Sequence, residues 1–284
     1  MKYACYFGLT RLVREMGWLK TAKYLREIGF EGVEFLDGGD VPEVIRDVEE
    51  AKTVRGILND NGLQTACFSC GVTMMRREGW GEQNPAEIAM KRYIDIAAAL
   101  GSPFFHYTQL LWLEYPQNAP RYEDVFEPIV DTACRIAAYA GHYGMTCLYE
   151  EQGLYFNGVE RFGRFFEAVK ARRSNVGVCA DMGNSFFVDE SPALIFERFA
   201  KDVKHVHMKD YRVTGAKPEG MAYVTPGGRW LQDCRVGEGD AEAARCLKAL
   251  KKVGYNGWFS FENTDTDFET GAACCRRTME SVFR

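Results

Sequence analysis

The sequence predicts an α/β protein folded as one closed (β/α)8 barrel, with a single domain over residues 1–284. Short runs rich in β-branched and aromatic residues alternate eight times with longer stretches of helical pattern. Eight such units in 284 residues match the length of a barrel. An open doubly wound sheet is the alternative, but a lone Gly8 follows the first predicted strand, where that fold usually has a glycine-rich phosphate turn.

The first half of the chain contains four predicted strands, each followed by a helix. Gly29 and Gly62 are expected to end the first two helices, and Asn84 with the following Pro85 is expected to begin the third. The expected strands are 3–7, 32–36, 64–69 and 103–107. The expected helices are 12–28, 41–61, 85–100 and 122–143.

The second half repeats the pattern with one longer interruption. The expected strands are 145–150, 176–181, 203–208 and 257–262. The expected helices are 158–171, 192–200, 241–253 and 268–282. The segment 211–239 contains several glycines and prolines and is too long for a simple connection, so we expect a binding loop or a lid there.

Composition and charge exclude several classes of protein. Hydrophobic residues make up 46% and charged residues 26% of the chain, which is typical of globular domains. No apolar run approaches the ~20 residues of a membrane helix, and the first residues do not resemble an export signal. The net charge of -5 argues against nucleic acid as a partner. We therefore expect a cytoplasmic protein without a membrane partner, whose ten scattered cysteines stay reduced.

Four consecutive strands of the second half carry acidic or imidazole side chains where they end. Glu150, Asp181 and Glu262 end the fifth, sixth and eighth predicted strands, and His207 is the last residue but one of the seventh. Strand ends converge at one mouth of a barrel, where three carboxylates repel each other unless a cation compensates them. Each residue alone fits an ordinary strand-end contact, but the four together predict a metal site. Their donor set suits Mn²⁺, Mg²⁺ or Co²⁺, and Zn²⁺ also accepts it.

Six short pieces of the sequence occur together in an order known from one family. They are GFEGVEF at 29–35, YE at 149–150, VCAD at 178–181, HVHMKD at 205–210, GEGD at 237–240 and GYNGWFSFE at 254–262. As a set they resemble the xylose isomerase-like TIM barrels, which include ketose 3-epimerases, hydroxypyruvate isomerase, inosose dehydratase and endonuclease IV. The resemblance implies that Glu150, Asp181, His207 and Glu262 bind one divalent ion, with Mn²⁺ the first choice.

The resemblance also implies the chemistry. In the sugar isomerases and epimerases of this family, the metal holds two adjacent oxygens of a hydroxy-ketone and stabilises an enediolate. Carried over, Glu150 and Glu262 are the acid and base on opposite faces of the reacting carbon. The implied protein is a metal-dependent isomerase or epimerase of a sugar or sugar-derived hydroxy-ketone, assembled as a homodimer or homotetramer. The alternative is a lyase of the inosose dehydratase type, acting on an oxidised sugar or cyclitol.

Three positions depart from the pattern of ketose 3-epimerases. Phe156, Asn184 and Val213 stand where those enzymes usually carry Glu, His and Arg. A strict ketose 3-epimerase is therefore not expected, and Met208-Lys209-Asp210 looks closer to the inosose dehydratase branch. Endonuclease IV needs more metal-binding histidines than the four in this chain, so DNA repair is not expected. A sugar-binding barrel without catalysis is a further alternative.

Polar residues near the predicted mouth are candidates for substrate binding. Lys209 lies two residues after His207 and so faces the same side of the strand. It binds a substrate oxygen or forms a salt bridge with Glu150, Glu151 or Asp210. His106, near the end of the fourth strand, contacts a substrate hydroxyl or has a structural role.

Four further residues complete the candidate set. Glu34, on the second strand, is expected to point into the mouth and bind a hydroxyl or hold Lys209. Arg235 would bind a phosphate or carboxylate of the substrate, with a solvated surface arginine as the alternative. Trp112 would form an apolar wall with Phe7 and Phe156, with ordinary core packing as the alternative. The fourth candidate is Asn184.

Overall fold

The computed structural model describes residues 1–38, 42–72, 84–110, 119–262 and 267–283. Strands β1 to β7 are Lys2–Cys5, Gly32–Asp37, Gln64–Cys70, Phe104–Tyr107, Thr146–Tyr149, Val176–Asp181 and Val203–Met208. Strands β8 to β11 are Tyr211–Thr214, Tyr223–Val224, Trp230–Asp233 and Trp258–Phe261. Helices α1 to α9 are Leu9–Met16, Trp18–Glu27, Val48–Asp60, Pro85–Ala99, Tyr122–Gly141, Val159–Lys170, Ala193–Phe199, Ala243–Lys252 and Phe268–Phe283.

Strands β1 to β7 and β11 form a closed barrel in which every neighbouring pair is parallel. Strand β11 closes the ring by pairing with both β1 and β7. The helices cover the outside of the ring, where the described strands present their apolar side chains. The predicted (β/α)8 barrel is therefore confirmed. No helix in the described ranges is long and apolar enough to cross a membrane.

Two predicted helices differ from the observed ones. The predicted helix 12–28 is wrong as a single element, because α1 and α2 are separated at Gly17, whose φ of 78° lies in the left-handed region. The predicted helix 41–61 begins only at Val48, because the Asp47 side chain accepts hydrogen bonds from the next free amides, those of Glu49 and Glu50. Residue 41, the first of that prediction, lies outside the described residues.

The inside of the barrel is layered. Cys67, Leu148 and Cys179 form a small buried apolar cluster within it. Each lies two residues before a polar residue that is buried nearer the strand ends, because side chains alternate along a strand with period two. The polar residues concerned are Ser69, Glu150 and Asp181. This alternation places an apolar floor directly beneath a polar mouth.

The segment 211–239, expected as a binding loop or lid, contains a second sheet. Strands β8, β10 and β9 pair antiparallel in that order. Asp189 anchors this sheet, since its carboxylate accepts hydrogen bonds from the Thr225 hydroxyl at 2.6 Å, the Gly227 amide at 2.7 Å and the Arg229 guanidinium at 3.0 Å. The charge of Arg229 is thus already paired in the described structure.

Asp210, directly after β7, joins two of the sequence pieces that resemble the family. Its Oδ1 accepts hydrogen bonds from the amides of Tyr211 at 2.9 Å and Ala241 at 3.0 Å. Its Oδ2 accepts from the amides of Gly237 at 2.9 Å and Gly239 at 3.1 Å. One buried carboxylate therefore fixes the segment 237–241 against the end of β7.

Replacing this carboxylate should destabilise the protein. In Asp210→Asn, two of the four amides face an NH2 group that cannot accept, so we expect the free energy of unfolding to fall by about 3 kcal/mol. The measurement is urea denaturation. The control is Asp131→Asn, which breaks an exposed ion pair with Arg172 and should cost less than about 1 kcal/mol. Equal losses in the two variants would contradict the anchoring role of Asp210.

Candidate metal-binding active site

The four residues predicted at the strand ends meet at the mouth of the barrel. Glu150 and Glu262 directly follow β5 and β11, Asp181 ends β6, and His207 lies in β7. Each offers one ligand atom, and these atoms all lie within 4.8 Å of one another. His207 Nδ1 is 2.7 Å from Glu150 Oε1 and 3.1 Å from Glu262 Oε2. The structure thus brings together the whole predicted set, and all four residues are buried.

Lys209 reaches the same cluster from the end of β7. Its Nζ lies 2.5 Å from Glu262 Oε1 and 3.6 Å from Asp181 Oδ2. It also donates a hydrogen bond to Asn184 Oδ1 at 3.3 Å. The salt bridges considered from the sequence involved other carboxylates, so the structure corrects the partners while keeping the residue at the mouth.

Burial and repulsion set the charges of the cluster. The pKa of Asp181 is raised to about 7, mainly by burial and also by repulsion from Glu262 and Glu150, although Lys209 acts in the opposite direction. Burial also opposes a charge on His207, but the surrounding carboxylates outweigh it and hold its pKa well above the usual value. Several carboxylates are therefore buried close together at the mouth, where their negative charges are unfavourable. A bound cation would reduce this repulsion.

The donor atoms fit a divalent ion. Asp181 Oδ1 accepts hydrogen bonds from the amides of Gly183 at 2.7 Å and Asn184 at 2.6 Å. Asp181 Oδ2 and Glu262 Oε2 are buried and have no hydrogen-bond partner among the described residues. Buried carboxylate oxygens are seldom left in this state unless an unseen group satisfies them. One imidazole nitrogen and three carboxylate oxygens are a donor set that Mn²⁺, Mg²⁺ and Zn²⁺ accept.

Glu34 lies beneath the cluster and not at the substrate side expected from the sequence. Its Oε1 accepts hydrogen bonds from Ser69 Oγ at 2.6 Å and from His207 Nε2 at 2.9 Å, and its Oε2 accepts from His205 Nε2 at 2.7 Å. Burial opposes its charge, but His207 and His205 outweigh burial and hold the pKa of Glu34 well below its usual value. Because both oxygens are bonded and fully buried, Glu34 holds histidines and does not contact Lys209 or substrate.

His106 lies beside the cluster, as a substrate contact requires. Its Nδ1 is 2.7 Å from Ser69 Oγ, and its Nε2 is 3.5 Å from Glu150 Oε2. Nε2 is buried and has no hydrogen-bond partner within the described part of the chain. This nitrogen is therefore available to a bound molecule.

The remaining candidates are placed differently. Asn184 begins a short 3-10 helix (Asn184–Val188) and is buried, with its Nδ2 lacking a partner among the described residues. Arg235 is half-buried, and its charge, after the hydrogen bonds of Thr270, contributes to the lowered pKa of Asp267 at the start of α9. Trp112 lies outside the described residues.

The apolar wall expected from the sequence is corrected at one position. Phe156 is fully buried, and its ring packs against those of Tyr122 and Phe165 at centroid distances of 5.3 Å and 5.2 Å. It belongs to the core, which was the alternative for this residue. A different aromatic residue, Tyr6, lies at the site and stacks on His207 with 4.9 Å between ring centroids.

Several residues that support the site were missed at the sequence level. Ser69 and Ser260 face the inside of the barrel, which period-two alternation indicates for both of them. Glu151 was considered only as a partner of Lys209, yet its Oε1 accepts the Asp181 amide at 3.1 Å. Burial and two neighbouring carboxylates, those of Asp181 and Glu150, raise the pKa of Glu151 well above its usual value.

Comparisons with known proteins agree with this geometry. A family model described as xylose isomerase-like TIM barrel matches residues 22–278. Inosose dehydratase of Geobacillus thermodenitrificans (strain NG80-2) is 23% identical over 252 residues, covering 82% of this chain and 78% of the relative.

Two solved structures share the fold over nearly the whole chain. A crystal structure of IOLI protein with a binding zinc atom has a TM-score of 0.73 at 16% identity, covering 99% of this chain and 98% of the other. A D-allulose 3-epimerase from Methylomonas sp. has a TM-score of 0.72 at 15% identity, covering 99% and 98%. At such identities the two structures support the fold alone.

The geometry predicts one divalent ion per chain. Titration of the metal-free protein with Mn²⁺, followed by calorimetry, should show a single site. Asp181→Asn should weaken binding by at least ~100-fold, because it removes a ligand and not merely an outer contact. The matched control is Asp202→Asn, on the surface beside Lys170, which should bind like the wild type. Equal affinity of Asp181→Asn and the wild type would contradict the assignment.

Proposed function

The chain belongs to the xylose isomerase-like TIM barrel family, and from this premise we propose that it is a metal-dependent isomerase or epimerase. Its substrate is a sugar or a sugar-derived hydroxy-ketone, and the reaction is a proton transfer at the carbon next to the ketone. The observation that carries the proposal is the convergence of Glu150, Asp181, His207 and Glu262 within 4.8 Å at the mouth of the barrel. These four are the proposed ligands of one ion, with Mn²⁺ the first choice.

A divalent ion held by these residues supplies Lewis acidity, which polarises a ketone and acidifies the adjacent C–H bond. The protein supplies the proton-transfer groups. Glu150 and Glu262 approach His207 Nδ1 with one oxygen each, while their second oxygens contact different neighbours, His106 and Lys209. The two carboxylates are therefore held apart in distinct surroundings, as an acid and a base on opposite faces of one carbon need to be.

Both glutamates are suited to begin as bases. Burial opposes the charge of Glu150, but His207 is the main group acting against burial, and the pKa of Glu150 lies below the usual range. Burial likewise opposes the charge of Glu262, and Lys209 and His207 lower its pKa. An ionised Glu150 removes the proton from carbon, and Glu262 takes up a proton from solvent and returns it to the opposite face of that carbon, or the roles are reversed for the opposite configuration.

The polar groups around the mouth are the proposed substrate contacts. Lys209 Nζ, Asn184 Nδ2 and His106 Nε2 surround the cluster and suit the hydroxyl and ketone oxygens of a sugar. Trp112 and Arg235 are two further proposed substrate contacts. The proposed assembly is a homodimer or homotetramer, as the family resemblance implies.

A lyase of the inosose dehydratase type is the second candidate. It is favoured by the 23% identity with an inosose dehydratase over most of both chains. Phe156, Asn184 and Val213, which depart from the ketose 3-epimerase pattern, point the same way. Removal of the same proton followed by loss of a β-hydroxyl as water would give an enone, with the protein's acid protonating the departing hydroxyl.

The two candidates predict different products in D₂O. The protein with Mn²⁺ is incubated with a panel of ketoses and keto-cyclitols and followed by NMR. Deuterium at the carbon next to the ketone, without loss of water, supports the isomerase or epimerase. An enone product supports the lyase. No exchange with any substrate of the panel, in a protein that binds Mn²⁺, would contradict the proposed function.

Replacing a proposed proton-transfer group should abolish most of the activity. In Glu262→Gln the amide cannot carry the proton, so we expect the exchange rate to fall by ~10²–10⁴-fold with the fold retained. The matched control is Glu160→Gln, an exposed residue of α6 that pairs with Arg198 and should exchange at the wild-type rate. A Glu262→Gln variant as active as the control would remove Glu262 from the acid and base pair.

A further inference from the structure

Glu34 is connected to three histidines through contacts that specify where their protons lie. It contacts the Nε2 atoms of His205 and His207 directly, at 2.7 Å and 2.9 Å. It reaches His106 through Ser69, whose hydroxyl is 2.6 Å from Glu34 Oε1 and 2.7 Å from His106 Nδ1. All of these residues are buried, so water does not compete for the hydrogen bonds.

The direction of each hydrogen bond follows from the chemistry of the groups. An ionised carboxylate only accepts hydrogen bonds, so both imidazole Nε2 atoms carry protons and donate to Glu34. The single hydroxyl proton of Ser69 also goes to Glu34. The Ser69 oxygen is then left as an acceptor, and His106 Nδ1 carries the proton that it accepts.

We propose that Glu34 is a positioning residue that fixes the orientation of His207 and, through Ser69, the tautomer of His106. The inference rests on the proposed function for the role of His207 as a ligand. With Nε2 donating to Glu34, His207 is held so that Nδ1 faces Glu150 and Glu262. With its proton held at Nδ1, His106 presents a bare Nε2 to the mouth.

The position of the proton on His106 limits which chemical group of a substrate can bind beside this residue. A bare Nε2 is a hydrogen-bond acceptor, and it lies 3.5 Å from another acceptor, Glu150 Oε2. A group that fits beside both must donate, so a substrate hydroxyl belongs next to His106. A carboxylate or phosphate there would bring three acceptors together. We infer that the substrate presents a free hydroxyl to His106, close to the carbon that Glu150 serves.

The tautomers can be read directly, because the chain has only four histidines. The experiment is ¹⁵N NMR of the metal-free protein with labelled histidine, with the exposed His142 as an internal reference. We expect His106 to show a protonated Nδ1 and an unprotonated Nε2. In Ser69→Ala this preference should be lost, because Nδ1 no longer has its acceptor while Nε2 still faces Glu150. A wild-type His106 with its proton on Nε2, or an unchanged Ser69→Ala signal, would overturn the proposal.

Ser260→Ala is the matched control for Ser69→Ala. Ser260 is a second buried serine of the same network, and its hydroxyl is 2.9 Å from His205 Nε2. We expect Ser260→Ala to leave the His106 tautomer unchanged. A change at His106 in Ser260→Ala as large as in Ser69→Ala would show general disturbance of the core and overturn the specific role of Ser69.

Metal affinity gives a second, independent readout. Glu34→Gln leaves His207 without a carboxylate at Nε2, so we expect Mn²⁺ to bind ~10–100-fold more weakly, with Ser260→Ala as the unchanged control. Wild-type affinity in a folded Glu34→Gln would overturn the role at His207, and if this variant does not fold, Ser69→Ala decides. A wild type that binds no Mn²⁺ but holds His106 in the expected tautomer refutes the proposed function while supporting the positioning role of Glu34.

Discussion

Negative charge gathered in a buried mouth is the constraint on which the rest of this structure depends. Glu150, Asp181 and Glu262 lie at the ends of β5, β6 and β11 with 5% exposure or less. Carboxylates that are this close together and this deeply buried repel one another strongly unless cations and hydrogen-bond donors surround them. His207 and Lys209 provide part of that compensation within the chain. The two unsatisfied carboxylate oxygens indicate that more is needed, and a divalent ion matches the deficit in charge and in donor chemistry.

Residues at successive depths of the barrel surround and support this charged mouth. An apolar floor that includes Cys67 and Leu148 isolates the mouth from the other end of the barrel. Above it, Glu34 bonds to His205 and His207, and Nδ1 of His207 faces Glu150 and Glu262. Outside the strands, Asp210 secures the following segment through four amides. The groups proposed for catalysis are thus carried on rigid strands and supported by hydrogen bonds from below, which limits their movement during proton transfer.

Much of this arrangement could be predicted from the sequence, because it follows from local periodicity. Alternating strand and helix patterns predict the barrel. The positions of Glu150 and His207 at strand ends then predict that the two residues lie close together, although no contact between them is known from the sequence. Contacts between distant strands are beyond such reasoning: alternation shows that Glu34 faces inward, but not at which depth. The same limit applies to Lys209, whose side of the strand was predictable and whose partners were not. The break at Gly17 was not predicted because the apolar periodicity continues across it. The sheet within 211–239 was not predicted because it forms through pairing between strands that are not adjacent in sequence.

Crystallography of the protein soaked with Mn²⁺, with anomalous diffraction at the manganese edge, tests the central claim most directly. The account predicts one anomalous peak per chain at the mouth of the barrel, within ~2.0–2.3 Å of an oxygen from each of Glu150, Asp181 and Glu262 and of Nδ1 of His207. An empty mouth at saturating Mn²⁺, or a peak bound through His207 Nε2 or away from these four residues, would contradict it.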